Sequence, residues 1–321
     1  MVFLSIIIPM YNSELTIKKC LDSIGDNNKV EIILIDDGST DSTKLICETN
    51  YRNKNLIKYI YQNNSGPGVA RNTGISAATG KYIMFLDSDD YLDTQVLNTI
   101  LDNYLIQGEY DIIYYDFDQV NEAGQVIRHF DLSAFNRVDK YDLMTYTLSW
   151  TLPWGQFKII NRNIIDKFNI RFDEDNRNSE ELIFTLNCIN SASKLLFCNL
   201  TLYKYLKREG SMSVAVTWEH LFKTSVLIMG ILKSNFGDTH KQGIYNFELV
   251  IKIQILKLLA EQCKGFSGYI KYKKLLYSDV HYLLEMADIN YLQKRYQFIY
   301  RCLKVKMDII LYISFKGLKL G

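Results

Sequence analysis

Tyr82-Ile83-Met84-Phe85-Leu86 is an apolar run that passes directly into Asp87-Ser88-Asp89-Asp90. Such a run reads as a strand buried on both faces. In an open α/β sheet, ligands bind in the crevice beyond the carboxyl ends of the strands. On an extended chain Asp87 and Asp89, two residues apart, project to the same side. Paired hard oxygen donors suit Mg²⁺ or Mn²⁺, which proteins hold with one or two carboxylates plus substrate phosphates. The plainer reading is that Asp89 or Asp90 caps a helix expected from about Asp93. The company this stretch keeps decides between the two.

Val2–Ile8 is a second continuous apolar run, ended by Pro9-Met10-Tyr11-Asn12, and Leu15, Ile17, Leu21 and Ile24 then recur at helical spacing. Glu31–Ile35 leads into Asp36-Asp37-Gly38-Ser39-Thr40, and Ile57–Tyr61 leads through Asn64-Ser65-Gly66-Pro67-Gly68 to a short helix. Strands alternating with helices of this length predict an α/β fold with a largely parallel sheet. Beyond residue 106 the order changes to a strand pair, 110–117 and 125–130, about a turn at Asn121-Glu122-Ala123-Gly124. From about Leu221 the pattern is helical. The expected division is a catalytic domain over 1–217 (a nucleotide half to about 110, an acceptor half over 111–217) and a helical region over 218–321.

The 37 basic and 36 acidic residues nearly cancel, so total charge gives no case for nucleic acid. Their distribution is uneven: residues 241–321 hold fourteen Lys or Arg against six Asp or Glu, and residues 1–100 hold nine against twelve. A basic tail points to an anionic surface. Six scattered cysteines without a C-x-x-C pair support neither zinc nor disulfides and fit a reducing cytosol. The first apolar run lacks a basic flank and meets Pro9 too early for a signal peptide, and no stretch reaches the ~20 apolar residues of a spanning helix. Four histidines show no ligand spacing.

Three strand ends thus converge on one crevice. Tyr11 can lie against a base, and the Asp37 carboxylate can accept an imide N–H such as uracil offers. Asp36-Asp37-Gly38 is also an ordinary strand-to-helix turn. The glycines at 66 and 68 match neither G-x-x-x-x-G-K-[ST] nor G-x-G-x-x-G, which counts against ATPase and dinucleotide readings. Arg71 is either a phosphate or ribose contact or a partner of an acidic strand end.

Ser5–Asn12, Ile35–Asp41, Gly68-Val69-Ala70-Arg71-Asn72-Thr73-Gly74 and Phe85–Asp90, in this order and spacing, resemble family 2 glycosyltransferases over about residues 3–95, continuing to about Ser213. The resemblance implies the GT-A fold (a Rossmann-like, mostly parallel sheet flanked by helices), a nucleotide-diphospho-sugar donor, Mn²⁺ or Mg²⁺, and inversion at the anomeric carbon. Pro9, Tyr11, Glu14 and Asp37 match positions around the nucleoside. Asp87, Ser88 and Asp89 match the Asp-x-Asp segment that meets ribose and metal-diphosphate, with Asp89 on the metal. Glu180-Glu181 looks like the family's Glu-Asp motif: Glu181 matches the base, and Glu180 falls on the acceptor side. Glu stands at 181 where the pattern has Asp. Ser179 as a helix cap followed by first-turn acids is the plain alternative, and Asp173, Glu174 and Asp175 are rivals for the base. Arg208 falls in the family's late basic loop, which closes on the diphosphate, and Trp154 falls in a segment lining the acceptor side.

The resulting expectation is a UDP-sugar-dependent enzyme of capsule or exopolysaccharide assembly. It would act on a lipid-linked saccharide of the undecaprenyl-diphosphate type, peripherally on the cytoplasmic face of the cell membrane. A nucleotidyltransferase and a non-catalytic sugar-nucleotide scaffold are the rivals. In the tail, Ile251, Ile255, Leu258 and Leu259 beside Lys252, Lys257 and Lys264 form an amphipathic stripe. Ile309, Ile310, Leu311, Ile313 and Phe315, between Lys304, Lys306, Lys316 and Lys319, form another. Each fits a membrane interface, packing against the catalytic domain, or a homodimer.

Overall fold

The computed structural model describes all residues except 52–55, 175–179, 209–216, 264, 277–279, 306 and 318–321. The chain divides into two compact units, 1–138 with 154–211, and 139–153 with 212–321. The second unit also takes in a short internal segment, 139–153.

The first unit is built on one nine-stranded sheet: β1 (Leu4–Met10), β2 (Val30–Asp37), β3 (Ile57–Gln62), β4 (Tyr82–Phe85), β5 (Tyr91–Leu92), β6 (Ile112–Val120), β7 (Val126–Phe130), β8 (Lys158–Asn161) and β9 (Leu195–Leu206). Its order is β3-β2-β1-β4-β8-β6-β9-β5, with β7 also on β6. The first four strands are parallel. Beyond them β8 runs antiparallel to both β4 and β6, whereas β6 and β9 are parallel. β2 and β4 flank β1 on opposite sides, so the winding reverses there and opens a crevice at the strand ends. The apolar runs of β1, β2 and β4 are buried, as strands covered on both faces must be.

Helices α1 (Ile17–Ile24), α2 (Thr43–Tyr51), α3 (Pro67–Ala77), α4 (Thr94–Ile100), α6 (Arg162–Lys167) and α7 (Glu180–Ser191) belong to this unit; α5 (Lys140–Leu148) lies in the other. Asp93 caps α4, accepting from the amides of Gln95 and Val96, so neither Asp89 nor Asp90 is used as that cap. Gly124 at φ +77° closes the β6–β7 turn at its expected place. Gly74 is required by packing: a Cβ there would fall 2.2 Å from Ile7 Cγ2, so α3 rides directly on β1.

The second unit adds α8 (Trp218–Phe236), α9 (Lys241–Gln262), α10 (Gly265–Leu276), α11 (Val280–Met286), α12 (Lys294–Lys304) and α13 (Asp308–Gly317). Helix α9 runs among α5, α8, α10, α11, α12 and α13. Ile251, Ile255 and Leu259 are accordingly 4%, 1% and 0% exposed, so this stripe is interior and does not face a membrane. Leu311 and Phe315 are interior as well, and only Ile310 of their stripe is exposed among the side chains described. Lys264, Lys306 and Lys319 lie outside the described residues. No described helix is long and apolar enough to cross a membrane.

Candidate active site

The acidic stretch after β4 is a turn rather than a continuation of the strand: the Asp90 amide donates to the Asp87 carbonyl at 3.0 Å. Strand alternation therefore does not govern its side chains. Asp87 Oδ1 meets Arg71 Nη2 at 3.0 Å, while Asp89 Oδ2 lies 3.6 Å from Arg208 Nη2. Asp90 locks the turn in place. Its buried carboxylate accepts from Tyr203 Oη at 2.6 Å and from the Leu206 amide at 2.7 Å, tying the turn to β9 two residues before Arg208. Ser88 Oγ and Ser13 Oγ, 2.7 Å apart, tie it to the segment after β1.

Arg71, 4% exposed, is the hub of the site. Its Nη2 also meets Glu181 Oε1 at 2.8 Å, and its Nη1 lies 3.6 Å from Glu180 Oε1. The structure thus takes the second alternative for Arg71, as partner of acidic groups. Phe172 lies beneath the guanidinium at 5.5 Å and packs with Phe85 and Phe184, giving the cluster an apolar floor. Gly68 faces the start of α7, with Glu180 Cγ in ordinary contact range of where a Cβ would stand, at 3.5 Å. Burial opposes the charge on Arg71, but Glu181, Asp87 and Glu180 raise its pKa above the ordinary value. Burial and then the neighbouring Glu181 push the Glu180 carboxyl up to about 7.

Glu181 Oε1 also accepts from Gln156 Nε2 at 2.8 Å. One hydrogen bond and one ion pair hold the same oxygen, and no described residue bonds Oε2. Trp154 is half-buried two residues before Gln156. Of the rivals for the base, Glu174 bonds Asn72 Nδ2 at 3.1 Å, whereas Asp175 and the cap Ser179 lie outside the described residues.

The nucleoside side is more open. Tyr11 is 53% exposed after β1, next to Pro9 and Met10 at the strand end. A cavity of about 290 Å³ is lined by Asn12, Ser13, Glu14, Thr40, Asp41 and Arg208. Glu14 Oε2 accepts from the Ser42 amide and Asp41 Oδ2 from the Glu14 amide, both at 3.0 Å, which braces this rim. Asp36 is buried, bonded to Tyr59 Oη and the Ser39 amide, and is the turn-former of the pair. Asp37 Oδ1 accepts from Gln62 Nε2 and the Ser65 amide, and Oδ2 accepts from the Gly66 amide, all at 2.8 Å. One lone-pair direction on Oδ2 remains. A larger cavity of about 860 Å³ sits at the amino ends of β2 and β3, beside Lys29 and Ile57, and none of the site residues line it.

Asp89 fits a divalent cation in chemistry. Its side chain is 48% exposed. Burial and then Asp87 raise its pKa, with Arg208 offsetting only part, so added positive charge would stabilise the carboxylate. Among the described residues no group of three His, Cys, Asp or Glu side chains is placed to hold a metal ion, so an ion at Asp89 would complete its shell with ligand oxygens. Gln156 and Asp90 enter the site through contacts that span 25 and 113 residues of chain, beyond the reach of local spacing.

A family model described as "Glycosyl transferase family 2" matches residues 5–168. The poly(ribitol-phosphate) beta-N-acetylglucosaminyltransferase TarS of Staphylococcus aureus is 30% identical over 250 residues, 75% of this chain and 42% of that protein. GlyA of Streptococcus pneumoniae serotype 4, a glycosyltransferase, is 26% identical over 288 residues, 84% and 40% of the two chains. EpsJ of Bacillus subtilis, an uncharacterized glycosyltransferase, is 32% identical over 216 residues, 65% and 62%. The chain spans about two fifths to three fifths of the length of these relatives. The crystal structure of TarS residues 1–349 with UDP-GlcNAc has a TM-score of 0.66 at 23% identity, covering 98% of this chain and 91% of that one, a likeness of fold.

Proposed function

The chain belongs to glycosyl transferase family 2, and from that premise we propose that it moves a hexosyl or N-acetylhexosaminyl group from a UDP-sugar to a hydroxyl of a lipid-linked saccharide, with inversion. The observation that carries this reading is the arrangement of Glu181, its Oε1 fixed by Arg71 and Gln156 while Oε2 is left for a proton. An inverting transfer needs a base that takes the acceptor proton as the hydroxyl attacks opposite the departing diphosphate. Glu181 Oε2 takes that proton. Arg71, through the same Nη2, fixes Glu181 relative to Asp87 on the donor side. Tyr11 stacks on the uracil, and the remaining lone pair of Asp37 Oδ2 accepts its imide N–H. UDP-GlcNAc and UDP bound to structures of similar fold favour that nucleotide. A Mn²⁺ or Mg²⁺ ion held by Asp89 would supply charge neutralisation for the leaving diphosphate. Arg208, whose Nη2 is buried without a hydrogen bond, turns from Asp89 to the diphosphate.

The lipid-linked acceptor places the enzyme peripherally at the cytoplasmic face of the membrane, in capsule or exopolysaccharide assembly. Its contact is the outer face of α12, where Lys294, Arg295, Phe298, Arg301 and Lys304 are exposed and no acid interrupts the helix.

Purified protein incubated with UDP-, GDP- and dTDP-sugars and Mn²⁺ should release UDP from one UDP-sugar when acceptor is present. Glu181→Gln should retain UDP binding and lose ~10²–10⁴ in kcat. Normal turnover by that variant refutes the assignment. Binding of a sugar nucleotide with no release under any condition favours the scaffold reading.

A further inference from the structure

The segment Trp154-Gly155-Gln156 has no regular structure, yet side chains from three elements grip its three successive carbonyls. Trp154 O accepts from Thr185 Oγ1 of α7 at 2.8 Å and from Lys158 Nζ of β8 at 3.0 Å. Gly155 O accepts from the same ammonium at 2.6 Å, and Gln156 O from Tyr115 Oη of β6 at 2.6 Å. Lys158 is 4% exposed, and its bonded partners are these carbonyls rather than a carboxylate. The titratable groups that influence it are Cys188 and Glu181 of α7 and Arg71 of α3. A buried cation held only by neutral oxygens is costly, and burial brings its pKa down to about 8. A methionine would fill this strand position without that cost. What the ammonium does that a thioether cannot is hold the two peptide groups immediately before Gln156, whose amide bonds Glu181 Oε1.

We propose that Lys158 is a positioning residue for the base: by clamping Trp154 O and Gly155 O it fixes Gln156, which in turn holds the Glu181 carboxylate with Oε2 presented to the acceptor. The proposal rests on the reading of Glu181 as the base. Lys158 and Gln156 act in series, so losing either loses the same contact.

The test uses the full chain with Lys158→Met, Gln156→Leu, the double variant and Glu181→Gln, each checked for wild-type far-UV circular dichroism. Two readouts are taken: turnover of the UDP-sugar identified by the panel, and crystal structures of the wild type and Lys158→Met. Lys158→Met should lower kcat by ~10²-fold, the effect of a misplacement near 1 Å, with donor KM unchanged. Gln156→Leu should match it, and the double variant should be no worse than either. In the crystal of Lys158→Met the Gln156–Glu181 hydrogen bond should be absent. Persistence of that bond, or losses that multiply in the double variant, overturns the proposal. An inactive Glu181→Gln beside a fully active Lys158→Met overturns this proposal alone. A fully active Glu181→Gln overturns the base assignment itself, while the crystal comparison still reads the Lys158 clamp.

Discussion

Replacing Glu31 with Gln should unlock the sheet at the end remote from the chemistry, by an amount the structure sets. Glu31 is the second residue of β2 and is 2% exposed. Its Oε1 accepts from Ser5 Oγ at 2.6 Å, Thr79 Oγ1 at 2.8 Å, the Thr79 amide at 2.5 Å and the Gly80 amide at 3.1 Å, and its Oε2 pairs with Lys58 Nζ at 2.8 Å. One carboxylate thus joins β1, β2, β3 and the connection into β4. Burial opposes its charge, but Lys58, Ser5 and Thr79 outweigh burial and hold the carboxyl down at about 2, against an ordinary 4.5. At 1.36 kcal/mol per pH unit, that difference stabilises the fold by about 3 kcal/mol. Because the folded value is depressed, the contribution is complete above about pH 4.5 and drains away as pH falls toward 2. Glu31→Gln should therefore cost about 3 kcal/mol at pH 7 and about 1.5 kcal/mol at pH 3. Urea unfolding at the two pH values measures both. Donor binding under folding conditions should stay unchanged, since Asp37, Asp87 and Tyr11 stand at the opposite strand ends. Equal urea midpoints for variant and wild type at pH 7, or a deficit that does not shrink in acid, would refute the charge argument.

Asp89→Ala should abolish Mn²⁺-dependent UDP binding in calorimetry while leaving the unfolding midpoint near wild type; Mn²⁺-dependent binding that persists in the variant removes Asp89 from the metal. Glu180, raised to about 7 in the fold from an ordinary 4.5, destabilises the protein increasingly as pH rises between those values. Glu180→Gln should therefore raise the unfolding free energy measured by urea at pH 8 by up to about 3 kcal/mol, and leave it unchanged at pH 4. Reversing Lys294, Arg301 and Lys304 to Glu should abolish flotation with anionic vesicles at low salt, each cation being worth ~1 kcal/mol at such a surface; flotation by the triple variant equal to wild type assigns the contact elsewhere.

The sheet was legible because strands buried on both faces leave long apolar runs, and each run ended in residues that a buried strand would not carry. The mixed half of the sheet was not, since β8 pairs with β4 and β6 and β9 pairs with β6 across intervals of 44 to 86 residues, and these strands owe their places to contacts. The helical tail failed in a different way: a stripe at 3.6-residue spacing reports that one face is covered, not by what. In α9 the cover is the unit's own helices, and the exposed cationic face belongs to α12, whose positive charges are spaced along one side. At the site, local spacing identified the carboxylates but could not show how they share charge. Asp87, Glu180 and Glu181 surround one guanidinium, and of the three only Glu180 is buried. Burial and then the neighbouring Glu181 drive up the pKa of Glu180, the more buried of the adjacent pair. Glu181 instead lies 2.8 Å from both Arg71 Nη2 and Gln156 Nε2, which hold its Oε1 from two sides. The division of roles between two adjacent glutamates is set by residues 71 and 156, neither of which adjoins them in the chain.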